Sequence, residues 1–285
     1  MDTDGEDARK IFLIVGAGIF GASAALHIKR AKPWATVILL DQTDFPNQAG
    51  ASYDHNKIIR SDYRDIFYMK LALQAMEAWR NDPLFKPFYH ETGMMFAENA
   101  GKGVDWLLNY GLLGHETGAT LMEVEEAREL FPWFKNANWH GVKQAYYNPR
   151  DGWGNAVQAL HAVLKAAIDL GVVYQKAVVE RLYLEYRQGD PTCVGVHTSQ
   201  GLLQADHILL CTGAATAKLM ADSAPNDSSM QVSGRLVAAA ALSCMVRVLP
   251  EKRHIYKGAP VFANLMNHTS GALLLPRFHI APMIN

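Results

Sequence analysis

The chain has 285 residues, 49% of them hydrophobic and 19% charged, with a formal net charge of −1. These values exclude intrinsic disorder and allow one large or two modest domains with a sizeable core. Nucleic acid is excluded by the lack of a long basic run, and a membrane by the shortness of the richest apolar stretch, Leu236–Val246.

The first predicted element is a strand over Ile11–Val15. It runs directly into Gly16-Ala17-Gly18-Ile19-Phe20-Gly21 and then a helix through Ala22–Arg30. A second apolar run, Thr36–Leu40, ends on Asp41, with Gln42 next. A lone GxGxxG is weak evidence. Framed by a strand, a helix, a second strand and a terminal acid, it is the βαβ fingerprint of a dinucleotide-binding fold. Gly16 lets the chain turn out of the strand, Gly18 leaves room for a pyrophosphate, and Gly21 lets the helix pack on the sheet. The helix N-terminus offers N–H groups and partial positive charge to phosphate. Asp41 suits the ribose hydroxyls of FAD or NAD and disfavours a 2′-phosphate.

Residues 42–63 read as a polar loop. A helix is predicted over Arg64–Arg80, with Ile66, Met69, Leu73 and Met76 on one face, stopped by Asn81-Asp82-Pro83. A strand over Phe88–Ala97 follows, then a short helix over Gly103–Tyr110 and another over Leu121–Leu130, with Glu123, Glu125 and Glu126 at its start. Val142–Tyr147 is strand-like, and Asn155–Leu170 is an amphipathic helix closed by Gly171. Strands over Val172–Tyr174, Ala177–Tyr186, Cys193–Ser199 and Leu202–Leu203 are joined by turns at Gln188-Gly189-Asp190 and Gln200-Gly201. A buried strand, Asp206–Cys211, ends in Thr212-Gly213. This alternation predicts a discontinuous nucleotide domain with a second domain inserted into it. His90 and His140 read as core or rim residues, and no metal site is expected.

The segment Ser52–Arg60, SYDHNKIIR, concentrates Asp54, His55, Lys57 and Arg60 around the apolar pair Ile58-Ile59. That interleaving predicts partial burial, and buried charges need partners or a function.

On these residues the chain resembles the FAD-dependent amine and amino-acid oxidases of the sarcosine oxidase type. Its nearest likeness is to the fungal branch of fructosyl amino acid oxidases (amadoriases) and saccharopine and pipecolate oxidases. GAGIFG with Asp41, SYDHNKIIR, WRNDPLFKPFYHETGMM at Trp79–Met95, NPRDGWGNAVQAL at Asn148–Leu160 and ADHILLCTGA at Ala205–Ala214 carry the resemblance. It implies an α/β fold: a Rossmann-type FAD-binding domain over 8–84 and 150–230, with an α+β substrate domain over 85–149 and 231–285. The cofactor positions it implies are Gly16, Gly18, Ile19, Phe20, Gly21, Asp41, Gln42, Ser52, Asn56, Lys57, Ile58, Val178, Thr212 and Gly213. It makes Lys57 the basic residue near the flavin, Arg60 the fork for a substrate carboxylate, and Asp54 the residue orienting a substrate amine. Val178 falls where the family's backbone meets adenine. The implied reaction passes a hydride equivalent from the carbon beside a neutral amine to flavin N5. It yields an imine, with O2 reduced to H2O2.

The family continues beyond the segment resembling His254–Pro276, so the resemblance implies a shortened chain that keeps the ADP-binding half, with an open flavin half. A non-catalytic homologue and an NAD-dependent dehydrogenase are the rival readings; the loop at Ser52–Arg60 argues against the second. The expected partners are a small amine or amino acid and O2, and a monomer is expected. The polar acidic N-terminus resembles neither a secretory signal nor a transit peptide. Cys193, Cys211 and Cys244 have neither disulfide-framework nor zinc-site spacing, and Met283-Ile284-Asn285 is not a peroxisomal address. A cytoplasmic location is therefore expected.

Overall fold

The structure is a computed structural model that describes residues 10–98, 101–137, 139–187, 190–239 and 247–264. In chain order its elements are β1 (Ile11–Val15), α1 (Ile19–Ala31), β2 (Thr36–Asp41), β3 (Lys57–Ile59), α2 (Ile66–Asn81), β4 (Tyr89–His90), β5 (Met94–Glu98) and α3 (Lys102–Leu112). There follow β6 (Thr120–Glu123), α4 (Val124–Leu130), β7 (Gln144–Asn148), β8 (Gly152–Gly154), α5 (Ala156–Asp169), β9 (Val173–Lys176) and β10 (Val179–Arg187). The last are β11 (Asp190–Thr198), β12 (Gly201–Gln204), β13 (His207–Leu210), α6 (Thr216–Ser223) and β14 (Val261–Asn264). No described helix is long and apolar enough to cross a membrane.

The chain divides into two compact units, Met1–Asp54 with Val157–Cys244 and His55–Ala156 with Met245–Asn285. The first unit holds a four-stranded parallel sheet in the order β13-β1-β2-β9. Leu13, Val15 and Leu40 of that sheet pack with Leu182 and Val196 of the antiparallel β10-β11-β12 sheet and with Leu219 of α6. Ile14, Val37 and Leu39 are fully buried as well. Both faces of the sheet are thus covered, which is why β1 and β2 read as unbroken apolar runs. The α/β class with a parallel sheet is the one the sequence led us to expect.

The second unit holds a sheet in the order β14-β5-β7-β6 and a smaller antiparallel one, β3-β8-β4. Met69, Met94, Phe96, Trp106, Tyr110, Tyr146, Trp153 and Val261 form one of its cores. This explains why residues 55–84 belong here rather than with the nucleotide-binding unit, as the expected boundaries had it. β3 pairs with β8, Lys57 opposite Gly154 and Ile59 opposite Gly152, and α2 buries Met69 in this core.

Several elements differ from expectation for local reasons. The loop over 42–63 contains β3. The strand expected over Phe88–Ala97 is two strands with different partners, broken at Gly93 (φ 78°). A Cβ at Gly93 would lie 2.4 Å from the Tyr147 hydroxyl, so the chain turns there on a residue without one. Thr120–Glu123 opens as a strand, because Leu121 and Met122 pair opposite Tyr146 and Ala145; the helix starts only at Val124. Val178 lies between β9 and β10 rather than within a strand, and β13 stops one residue short of Cys211. Gln188 and Gly189 of the expected turn, and Cys244, lie outside the described residues.

Candidate functional site

The first unit builds a cradle at the C-terminal end of β1. Gly16 turns out of the strand at φ 100°, and its N–H donates to the Leu40 carbonyl at 2.7 Å. A Cβ there would meet the Cys211 carbonyl oxygen at 2.3 Å, and one on Gly21 would meet the Gly16 carbonyl oxygen at 1.8 Å. Both glycines therefore fit the strand-to-helix turn to the neighbouring backbone. Gly18 is different. Its φ is −68°, and a Cβ would meet only the Ser52 hydroxyl, at 3.4 Å. This glycine is not required by the fold; leaving space above the helix start is its remaining physical role. No side chain of Gly18 can cap α1, and the Ile19 N–H is held from a distance by the Ser52 hydroxyl at 3.0 Å.

Asp41 ties the cradle to the next loop. Its Oδ2 accepts the Ala17 N–H at 2.9 Å. Its Oδ1 accepts from the Thr43 N–H, the Thr43 hydroxyl and Asn47 Nδ2 at 3.1–3.3 Å. A ribose hydroxyl at Asp41 would exchange with the Thr43 and Asn47 donors. Beside it the Tyr174 hydroxyl donates to the Thr43 carbonyl at 2.8 Å. Burial, then the charge of Asp41, pushes Tyr174 up to about 12.

The other expected positions are placed as follows. Thr212 and Gly213 follow Cys211, whose carbonyl sits against Gly16, so they belong to the cradle; Thr212 Oγ1 lies 2.8 Å from Thr216 Oγ1. Gln42 is exposed at the end of β2. Phe20 is 81% exposed and lines an apolar cleft of about 400 Å³ with Ala24, Leu209 and Leu210, a surface unsuited to phosphate. Both backbone polar groups of Val178 engage Ser199: its N–H donates to Ser199 Oγ and its carbonyl accepts the Ser199 N–H. The Asp54 carbonyl accepts the Val157 N–H at the start of α5, so Asp54 anchors a helix end in the first unit.

Asn56, Lys57, Ile58 and Arg60 lie in the second unit. Lys57 is exposed at the start of β3, while Ile58 packs on the core beside Trp153. The Arg60 guanidinium donates through Nη1 to the Asp62 carbonyl and lies 4.4 Å from the Tyr63 ring centroid and 5.8 Å from that of Phe96. Stacking on aromatic faces holds a guanidinium planar and oriented while leaving its edge to bind.

One polar cluster was not anticipated. Ser61, Asp62, Asn148 and Asp151 are all buried, with Asp62, Asn148 and Asp151 wholly so. Asp62 Oδ1 accepts from the Tyr146 hydroxyl at 2.6 Å, the Tyr110 hydroxyl at 2.9 Å and Asn148 Nδ2 at 3.1 Å. Asp151 Oδ1 accepts from the Ser61 N–H and hydroxyl, both at 3.0 Å. The signal was present in NPRDGWGN, where an aspartate stands beside a Gly-Trp-Gly strand rather than in a polar run.

The model of one family, FAD-dependent oxidoreductase (DAO), matches residues 12–279. The chain belongs to this family of FAD-dependent oxidoreductases. The family's cofactor sets aside the NAD-dependent reading. Among curated relatives, L-saccharopine oxidase of Schizosaccharomyces pombe is 30% identical over 273 residues, covering 88% of this chain and 59% of that protein. The 4-methylaminobutanoate oxidase (formaldehyde-forming) of Paenarthrobacter nicotinovorans is 30% identical over 73% of this chain and 25% of its own length. The chain is also similar to the solved structure of the fructosamine oxidase Amadoriase II from Aspergillus fumigatus, with a TM-score of 0.67, 27% identity and coverage of 90% of this chain and 58% of that one. The chain thus spans less than two thirds of the length of these relatives.

Proposed function

We propose that this chain carries the dinucleotide cradle and part of the amine-binding half of an oxidase that acts on the C–N bond of a secondary amine or N-substituted amino acid. The observation that supports it best is Gly18. It is a glycine that neither φ nor packing demands, at an uncapped helix start beside an acid and a serine hydroxyl. Such a cradle fits the pyrophosphate of FAD, with Gly16, Gly18, Gly21, Ser52 and Asp41 holding the ADP portion. The two-electron acceptor for the C–N bond, reoxidised by O2 to give H2O2, is what FAD supplies when bound.

In this reading Arg60 binds a substrate carboxylate through the edge of a guanidinium oriented by Tyr63 and Phe96. Lys57 supplies positive charge from β3, which leads into Arg60, and the substrate is a small amino acid or amine. The names of the relatives, an oxidase of saccharopine and one of 4-methylaminobutanoate, favour a secondary amine that also bears a carboxylate.

The test is to purify the chain in the presence of FAD and record its visible spectrum, with Gly18→Val as the control. The expected result is a flavin band that co-purifies with the wild type, is lost in Gly18→Val with helix and strand content unchanged, and bleaches anaerobically with an N-alkyl amino acid. A wild type that binds no FAD at saturating cofactor sinks the proposal.

A further inference from the structure

We infer that Asp62 and Asp151 hold one proton between them, and that this pair is the positioning element for the Arg60–Asp62 segment. The role given to Arg60 rests on the function proposed above; the shared proton does not.

Both carboxyl groups are wholly buried and linked through two hydroxyls: the Tyr110 hydroxyl lies 2.9 Å from both Asp62 Oδ1 and Ser61 Oγ, and Ser61 Oγ donates to Asp151 Oδ1 at 3.0 Å. Every donor that reaches them goes to an Oδ1: Tyr110, Tyr146 and Asn148 to Asp62, and the Ser61 N–H and hydroxyl to Asp151. Oδ2 of each is buried with no partner. Two adjacent anions, each with an unsatisfied buried oxygen, would carry both mutual repulsion and an uncompensated desolvation cost. A single proton between the two Oδ2 atoms removes both defects.

The proton resides on Asp151. Asp62 Oδ1 has three donors from three different side chains, whereas Asp151 relies on Ser61 alone. Burial first, then the Asp62 charge, holds Asp151 well above the usual carboxylate range. The groups facing the pair are Ser61, Tyr110 from α3, and Tyr146 and Asn148 from β7, and the Asp151 charge also reaches the Tyr89 hydroxyl of β4. Burial, then Asp62, pushes the hydroxyls of Tyr110 and Tyr146 far up, so they remain donors.

The pair also pins a segment. Asp151 holds Ser61 by two hydrogen bonds, Asp62 is held by α3 and β7, and the Asp62 carbonyl receives the Arg60 guanidinium. The orientation of Arg60 is therefore set from below through the Asp62 carbonyl, on a half-protonated acid pair that keeps one negative charge.

Three readouts on the chain itself test this, none needing FAD or substrate, so failure here leaves the cofactor reading intact and the reverse also holds. Infrared spectra of the wild type at neutral pH should contain the carbonyl band of a protonated carboxylic acid, shifted in D2O and absent in Asp151→Asn. Its absence from the wild type overturns the shared proton. Because Asp151 titrates higher when folded than when unfolded, wild-type Tm should fall as pH rises above the ordinary carboxylate range; Asp151→Asn should remove that decline. An equal decline in both overturns it.

For the positioning role, amide exchange at residues 60–63 should be unchanged in Asp151→Asn, which keeps the acceptor for Ser61 and donates an amide N–H to Asp62. In Asp151→Ala it should accelerate about tenfold, beyond the global change seen in Met69→Ala. Acceleration no greater than that control overturns positioning. If Asp151→Ala does not fold, Ser61→Ala takes its place, with a smaller acceleration confined to the same amides expected and none overturning the role.

Discussion

The three glycines of the GAGIFG turn should separate cleanly when each is changed to alanine. At Gly16 the substitution meets φ 100° and a carbonyl oxygen at 2.3 Å. Backbone strain of about 1–3 kcal/mol and overpacking of similar size place the cost at roughly 2–6 kcal/mol. At Gly21 the backbone is helical, but the added carbon falls 1.8 Å from the Gly16 carbonyl oxygen, so overpacking alone costs about 1–3 kcal/mol. At Gly18 φ is −68° and the nearest atom is a hydroxyl at 3.4 Å. There alanine restricts the unfolded chain without straining the folded one and gains about 0.4–1 kcal/mol. With about 2–4 °C per kcal/mol for a unit of this size, Tm should fall by roughly 5–20 °C in Gly16→Ala and rise slightly in Gly18→Ala. FAD affinity should order differently: Gly18→Ala, the most stable variant, should bind at least about tenfold more weakly, since its methyl occupies the approach to the helix N-terminus. Thermal melts by circular dichroism and titration of flavin fluorescence measure the two quantities. A Gly18→Ala protein that melts as low as Gly16→Ala, or that binds FAD as the wild type does, refutes the reasoning.

Three further outcomes follow from other parts of the structure. Arg60→Lys in an enzyme active on a carboxylate substrate should raise KM about tenfold or more with a smaller change in kcat, because the planar fork and its stack on Tyr63 are lost while the charge remains; an unchanged KM removes Arg60 from the substrate site. Glu98, wholly buried, accepts the Lys102 and Gly103 N–H groups at the start of α3 at 2.7 and 3.1 Å. Glu98→Ala should therefore lower stability by about 1–3 kcal/mol, read by urea denaturation, with Glu98→Gln recovering part of it. Ser52→Ala removes the acceptor of the Ile19 N–H and should cost about 0.5–1.5 kcal/mol in the absence of FAD, a difference that widens with cofactor because the variant also loses a group that holds the ADP portion.

What the sequence made legible was whatever depends on near neighbours. The βαβ unit could be read because Gly16, Gly18, Gly21 and Asp41 meet their constraints within a few dozen residues. The amphipathic helices could be read from spacing alone. What escaped depends on distant partners. Lys57–Ile59 is a strand only because residues 152–154 lie alongside it. Leu121 and Met122 leave a helical pattern because β7 offers them a better partner. Asp62 stands in a stretch that looks solvated, and its burial arises when α3 and β7 close over it. The nucleotide half of the site was therefore visible residue by residue, while the support beneath Arg60 was not.

The pairing of β1 and β5 has a consequence for synthesis on the ribosome. β1 gains β2 almost at once, but its other neighbour, β13, begins only at His207. β5 gains β7 early, but its other neighbour, β14, begins at Val261. Both central strands therefore emerge with one open flank, and neither sheet can close until elongation has passed His207 and Val261. The nascent chain thus presents the edges of two apolar, buried strands until those neighbours are made, and they are segments a holding chaperone would cover.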